Sequence, residues 1–287
     1  MSTITIDTVA PMRIGATEAA YGTAPIERPA GPVATTTAVA ARTIRKFIRS
    51  PQLVVLGTIQ GAMFLLIFRY VFGGNMAPGP VPYVDYLVPG FVTAGLLFSG
   101  MTTATGVAED VEQGFFDRLR SMPVPRSALV AGRAVADTGI LMWNTLFTVA
   151  VGVAVGFRPH GSVAEQLAAL GLCLVYGFAF IWLFVFLGLI AGTAQGAQGV
   201  AMLVFPLTFV SSAYVPVDSM PGWLQPIAEN QPLTVMTNAI RSLALGDPAL
   251  AGLSHGTGHW VALSLAWAAG LVAVFAPLAV AKYRRTA

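Results

Sequence analysis

Six stretches of this chain are apolar over about the 20 residues that a helix needs to cross a bilayer, and that repetition constrains the fold more than anything else. They run Leu53 to Phe72, Leu87 to Val107, Gly139 to Phe157, Leu167 to Gly192, Gly199 to Val215 and Trp260 to Lys282. Inside lipid every backbone N–H and C=O must be paired within the protein, and segments of this length do so as helices. With 55% hydrophobic residues and a mean hydropathy of +0.72, the expected fold is all-α, a polytopic membrane protein of six transmembrane helices. The N-terminus reads Thr, Pro, Ala and Gly to about residue 34 and lacks a short apolar core with a cleavage site. The first span is therefore expected to act as the insertion signal.

Basic residues orient these spans. Six Lys or Arg precede the first, four lie from Arg118 to Arg133, and three follow from Lys282. Retention of positive charge on the cytoplasmic side places the N-terminus, the connection after Glu109 and the Lys282-Tyr283-Arg284-Arg285 tail inside, with Arg158 as an outer exception. The pI of 9.2 does not point to nucleic acid, because the cations sit at span ends and form no stripe with interleaved aromatics. Membrane lipid is the expected partner of this charge. Arg42, Arg45, Lys46 and Arg49 share one helical face, with Ala40, Ile44, Phe47 and Ile48 opposite. Three regions result: a cytoplasmic tail without fixed structure over 1–34, an interfacial amphipathic helix over 35–50, and a six-span domain over 51–287.

The connection between the second and third spans is unusual. In a chain with 10% charged residues, four acids and two bases fall between Glu109 and Arg120. On a helix, Val111, Phe115, Leu119 and Met122 gather on one side, and Asp110, Gln113, Asp117 and Arg120 on the other. Gly114 is costly inside a helix, by about 1 kcal/mol relative to Ala, and suggests a bend or close approach there. Pro123 and Pro125 end the pattern. A segment of this kind is a contact surface for a cytoplasmic protein.

The stretch Val215 to Leu245 is rich in Pro yet too apolar for a solvated linker. Two short helices dipping into the outer leaflet are expected, burying Trp223, Leu224, Ile227, Val235 and Met236. In the second span Gly95, Ser99, Thr102 and Gly106 form a small-residue stripe flanked by Thr103, suited to close packing. Thr208, Ser211 and Ser212 mark the fifth span. Arg133 and Asp137, four apart, suit pairing on one helix face.

Several chemistries are excluded or poorly supported. A phosphate-binding loop needs Gly-Lys before Ser or Thr, and the two lysines, Lys46 after Arg45 and Lys282 after Ala281, do not fit. One cysteine, Cys173, allows no internal disulfide or thiolate cluster. His255 and His259 stand four apart with Gly256 and Gly258 beside them and no third ligand near in sequence, so no metal site is expected. No catalytic constellation appears.

The run Phe115-Phe116-Asp117-Arg118-Leu119-Arg120-Ser121-Met122-Pro123, continuing to Ala131-Gly132-Arg133, resembles the daunorubicin-resistance branch of ABC-2 type transporter permeases. Further matches are Phe68-Arg69-Tyr70-Val71-Phe72-Gly73-Gly74, Tyr86-Leu87-Val88-Pro89-Gly90, Phe205-Pro206-Leu207-Thr208-Phe209-Val210-Ser211, Met220-Pro221-Gly222-Trp223-Leu224-Gln225 and Asn230-Gln231-Pro232-Leu233-Thr234. The resemblance covers roughly residues 40 to 287. Gln113-Gly114-Phe115 stands where the broader family opens with an Arg-Glu-x-Gly-Thr-like run. The resemblance implies that the insert is a coupling helix docking on an ATPase, through Glu112, Gly114, Phe115, Phe116, Asp117, Arg118, Leu119 and Arg120. It implies two copies of a separate ATP-binding-cassette subunit, which bind ATP and Mg, and a second permease copy or paralogue. It also implies a substrate path along the second and fifth spans, with Ser99, Thr102, Thr103, Thr208, Ser211 and Ser212 as candidates. The expected protein is a non-enzymatic permease subunit in a bacterial inner membrane, both termini cytoplasmic, exporting an amphipathic drug-like compound or lipid. A non-transporting scaffold or sensor docking a partner through 109–123 is the alternative.

Overall fold

The computed structural model describes residues 31–50, 59, 61–72, 81–114, 126–246 and 255–286, and the regular elements among them are all helical. They are α1 Pro32–Ile48, α2 Gly61–Val71, ending in a π-turn over Phe68–Phe72, α3 Tyr83–Glu112 and α4 Arg126–Ala154. Then come α5 Val163–Ala191, α6 Ala194–Val204, α7 Gln225–Asn230, α8 Pro232–Leu245 and α9 Thr257–Thr286. Among the described residues four helices, α3, α4, α5 and α9, are long and apolar enough to cross a membrane.

The other two expected spans stand differently. The first is described only at 59 and 61–72, a short apolar helix. The fifth, expected as Gly199 to Val215, begins earlier and is not one helix. Thr193 caps α6 by accepting from the Gly196 N–H at 3.1 Å, and the α-helix gives way to a 3-10 turn over Phe205–Thr208. Pro206 is the cause, since it has no N–H to continue the ladder.

α3 and α5 form the enclosed pair at the centre. Small residues let their backbones meet: a Cβ on Gly188 would collide with the Ala104 carbonyl, and one on Gly100 with the Phe184 ring. α5 starts four residues before the expected Leu167 because Ser162 and Glu165 form a capping box, with Glu165 Oε2 accepting from the Ser162 N–H at 2.6 Å. α8 lies antiparallel to the first half of α3, with Thr237 Oγ1 and Thr93 Oγ1 2.7 Å apart. Every residue from Leu233 to Leu245 is buried. A 14-residue helix is about 21 Å long, so α8 reaches only part of the way through the bundle.

α1 packs on α4 and corrects part of the amphipathic expectation. Its packing side is Thr35, Val39, Ala40 and Thr43, with Thr36 Oγ1 donating to the Ala128 carbonyl at 3.2 Å. Ala40, expected to face lipid with Ile44 and Ile48, is instead buried against protein. Ile44 and Ile48 stay exposed, as do Arg42, Arg45, Lys46 and Arg49. The helix starts at Pro32, ahead of the expected residue 35.

Candidate functional site

α3 has one face that the rest of the chain leaves open. Around it Leu96, Leu97, Gly100, Thr103, Ala104 and Val107 are buried, while Gly95, Ser99, Thr102 and Gly106 are not. A Cβ on Gly95 would meet nothing within 4 Å. The small-residue stripe expected from sequence therefore lies on the accessible side of the most enclosed of the four span-length helices. Thr102 is exposed, its hydroxyl donating to the Phe98 carbonyl at 3.3 Å. Thr103 lies on the buried side and donates to the Ser99 carbonyl at 3.2 Å. Of the three α3 residues expected along a path, Ser99 and Thr102 occupy the open face and Thr103 does not.

Gly106 ends this stripe for a separate reason. Arg133 of α4 lies over it, so that an added Cβ would strike the guanidinium. Arg133 Nε donates to Asp137 Oδ2 at 2.8 Å, and Nη1 to Asp110 Oδ2 at 2.7 Å. The Arg133–Asp137 pair expected from spacing thus has a third member, on α3. Asp110 was expected on the polar side of a helix over the insert; it is 4% exposed and belongs to the last turn of α3. That helix ends at Glu112, and Gly114 takes a left-handed φ of 62° just beyond it. Gly114 therefore marks a chain turn, which Gly adopts without steric cost, in place of the helix interior considered from sequence. Glu112 Oε2 accepts from the Ala194 N–H at 3.3 Å, and Lys46 Nζ lies 3.9 Å from Glu109 Oε2. Phe115, Phe116, Asp117, Arg118, Leu119 and Arg120 fall outside the described residues.

At the opposite end of α3 the structure assembles a polar cluster that sequence reasoning missed. From Phe209 to Pro216, before a short 3-10 helix over Val217–Ser219, the chain has no regular helix, and such backbone survives at membrane depth only when protein groups satisfy it. Those groups come from α8 and α3. Gln231 Nε2 donates to the Val210 carbonyl. Thr234 Oγ1 accepts from the Ser212 N–H at 3.1 Å, and the Asn238 side-chain oxygen accepts from Ser212 Oγ at 3.0 Å. The Ser212 carbonyl accepts from Tyr86 Oη at 3.0 Å and from Arg241 Nη2 at 2.9 Å.

Arg241 is the centre of this cluster. It is 3% exposed, its guanidinium lies 3.7 Å from the Tyr86 ring centroid, and it also donates to Asn238 Oδ1 and the Tyr86 carbonyl, both at 3.1 Å. These three acceptors, the Ser212 carbonyl included, are neutral oxygens. Pro89 stands within α3 just after Tyr86, and the backbone of Ala213 passes so close that a Cβ on Gly90 would overlap its carbonyl. Thr208, Ser211 and Ser212, expected along the fifth span's path, are buried here. Thr208 donates to the Phe205 carbonyl at 2.8 Å, and Ser211 Oγ accepts from the Ala213 N–H at 3.1 Å.

The signal for this cluster was in the sequence. Gln231, Thr234, Asn238 and Arg241 are spaced three, four and three apart, one face of a helix. Of the residues expected to be buried in the outer leaflet, Trp223 and Ile227 lie on the protein surface, Leu224 is half-buried, and Val235 and Met236 are fully enclosed by protein. His255 and His259 stack at 4.0 Å between ring centroids. Among the described residues no group of three or more His, Cys, Asp or Glu side chains could hold a metal.

An apolar helical bundle with four span-length helices, a broken, side-chain-sealed segment and a charged connection between two of them is the architecture of a polytopic membrane protein. Residues 35–245 match the ABC-2 type transporter family, and the chain belongs to it. The family's permeases are not themselves enzymes, and membership implies an ATP-binding-cassette ATPase partner. A daunorubicin resistance ABC transporter permease protein, DrrB1 of Streptomyces coeruleorubidus, is 35% identical over 225 residues, 77% of this chain and 76% of the relative. The probable doxorubicin resistance ABC transporter permease protein DrrC of Mycobacterium tuberculosis is 28% identical over 237 residues, 79% of this chain and 82% of its own. The probable multidrug ABC transporter permease YbhR of Escherichia coli is 26% identical over 178 residues, 59% of this chain and 47% of its own.

Proposed function

We propose that this chain is the permease half of an ATP-driven exporter that moves an amphipathic drug-like compound or lipid out of the cytoplasm or inner leaflet. The open face of α3 carries the reading: among the four helices long enough to span, the most enclosed one leaves Gly95, Ser99 and Thr102 accessible, with Phe98 and Met101 half-buried beside them. Small hydroxyl-bearing side chains give a smooth wall with weak, adaptable polar contacts, which suits passage better than tight binding. The names of the relatives, daunorubicin and doxorubicin resistance permeases, support an amphipathic aromatic cargo. In this proposal a second permease copy or paralogue faces α3 and completes the route, with Ser99 and Thr102 on its wall. Thr103, Thr208, Ser211 and Ser212 support that wall from behind.

The rest of the assembly follows from where the helices end. α3 and α4 deliver both ends of the 113–125 connection to one end of the bundle, which the positive-inside pattern assigns to the cytoplasm together with both termini. Two ATPase subunits dock there, one per permease, through Glu112, Gly114 and Phe115 to Arg120. Closure of the ATPase pair then shifts the permease between inward and outward openings. α2 and the broken α6 segment complete six crossings. α1 lies at the cytoplasmic interface with Ile44 and Ile48 toward acyl chains and its four cations toward anionic headgroups.

The test uses the chain with its ABC ATPase in proteoliposomes. ATP is expected to drive movement of doxorubicin or a fluorescent phospholipid, and a bulky maleimide on a Thr102→Cys variant is expected to block it. A wild-type complex that moves neither probe sinks the exporter reading in favour of a docking scaffold.

A further inference from the structure

We infer that Asp110, Arg133 and Asp137 form the link that makes α3 and α4 respond together when force is applied to the connection between them. The inference rests on the exporter reading above and names positioning residues within it. A push on the 113–125 connection enters α3 at Glu112 and α4 at Arg126. Two helix ends joined only by that connection could move apart and dissipate the push. Arg133 prevents this, because one guanidinium is held by a carboxylate from each helix, at 2.7 Å from Asp110 Oδ2 and 2.8 Å from Asp137 Oδ2.

Three further features fit a rigid joint. Both carboxylates are buried, at 4% and 7% exposed, so separating them from the guanidinium leaves unpaired charge in a poorly solvated place, which is costly. Charge-assisted hydrogen bonds to a planar guanidinium also fix direction as well as distance. Gly106 supplies the seat that brings the guanidinium against α3, and Gly132 lets α1 pack on α4 beside it, where a Cβ would meet the Thr36 carbonyl and Val39. The joint therefore gathers α1, α3 and α4. It also stands at the foot of the open stripe, so its displacement reaches Thr102, one turn along α3.

The experiment reads movement without needing the cargo. The Thr102→Cys variant is assembled with its ABC ATPase in nanodiscs, and the maleimide labelling rate is compared with ADP and with ATP plus vanadate. Cys173 is buried and adds little background. With Arg133 intact the rate is expected to change with nucleotide. With Arg133→Gln added, ATPase association and hydrolysis are expected to persist while the nucleotide response falls by roughly tenfold, within the range of coupling between distant sites. Arg133→Lys, which makes a point contact in place of a fork, is expected to fall between. An Asp110→Cys/Arg133→Cys pair bridged by a short bismaleimide, with the response read by tryptophan fluorescence, is expected to recover part of it. A full response in Arg133→Gln overturns the inference while leaving the exporter reading intact. Loss of association, hydrolysis and response together, with a lowered Tm, also overturns it and assigns the triad to folding alone. No response with Arg133 intact removes the exporter reading, and the inference with it.

Discussion

Arg241 is the residue on which the far end of the bundle depends. A buried charge near lipid is expensive and marks a site that the fold needs, and here the need is a non-helical backbone whose carbonyls lack helical partners. Arg241→Met is expected to remove three charge-assisted hydrogen bonds, to the Tyr86 carbonyl, Asn238 Oδ1 and the Ser212 carbonyl, at about 1.5–3 kcal/mol for each bond to a charged group. Asn238 Oδ1 and the Ser212 carbonyl keep Ser212 Oγ and Tyr86 Oη, respectively, as donors. The check is a Tm in detergent several degrees below wild type, with Arg241→Lys falling less. An unchanged Tm would show that the cluster adds nothing to stability. Gly90 makes an independent prediction. A methyl there overlaps the Ala213 carbonyl, so Gly90→Ala is expected to lower expression and Tm, whereas Gly95→Ala, facing open space, is expected to leave both unchanged.

At the scale of elements, α1 and α8 behave oppositely to what their composition suggests. α8 carries Arg, Asn, Ser and Thr and is wholly buried, because its polar groups serve the adjacent broken segment. α1 carries exposed isoleucines and cations while its buried side includes Thr35 and Thr43. Replacing Arg42, Arg45, Lys46 and Arg49 together by Gln is expected to weaken binding of an α1 peptide to phosphatidylglycerol vesicles by about 1 kcal/mol per charge, with little change on phosphatidylcholine. Equal affinity for the two vesicle types by the wild-type peptide would remove the interfacial role. The Thr93–Thr237 hydroxyl pair joining α3 to α8 is a smaller contributor, near 0.6 kcal/mol by the usual size of interhelical hydrogen bonds in membranes.

For the whole molecule the orientation is open to a direct check. Cysteines at Gln113 and His160, which lie at opposite ends of the bundle, are expected to label oppositely with a membrane-impermeant maleimide. His160→Cys should react in intact cells and Gln113→Cys only after permeabilisation. Labelling of both from one side would overturn the positive-inside assignment. Much of the fold was legible before the structure: α3 and α9 contain their expected spans, and α4 and α5 cover theirs except for the last three residues and the last one, because a continuous apolar run of that length leaves a helix few alternatives. The fifth span was misjudged because hydropathy averages over Pro206, whose missing N–H breaks the ladder without altering the apolar character of Gly199 to Val215. Of the candidate site, Ser99 and Thr102 fell on the accessible face as the stripe suggested. Thr208, Ser211 and Ser212 looked the same in sequence, but the first two were claimed by local backbone and Ser212 by the Asn238 side chain.

The sequence alone determined that this is a helical membrane protein, which connection carries charge, and which family it joins, because burial of apolar surface and the siting of cations are properties of short contiguous segments. Only the tertiary structure decided what the polar residues do. Tyr86 and Arg241 are 155 positions apart and Asp110 and Arg133 are 23 apart, so no local pattern announces either contact. In a medium without water, a buried donor or charge takes its role from whichever partner the packing brings within hydrogen-bond distance.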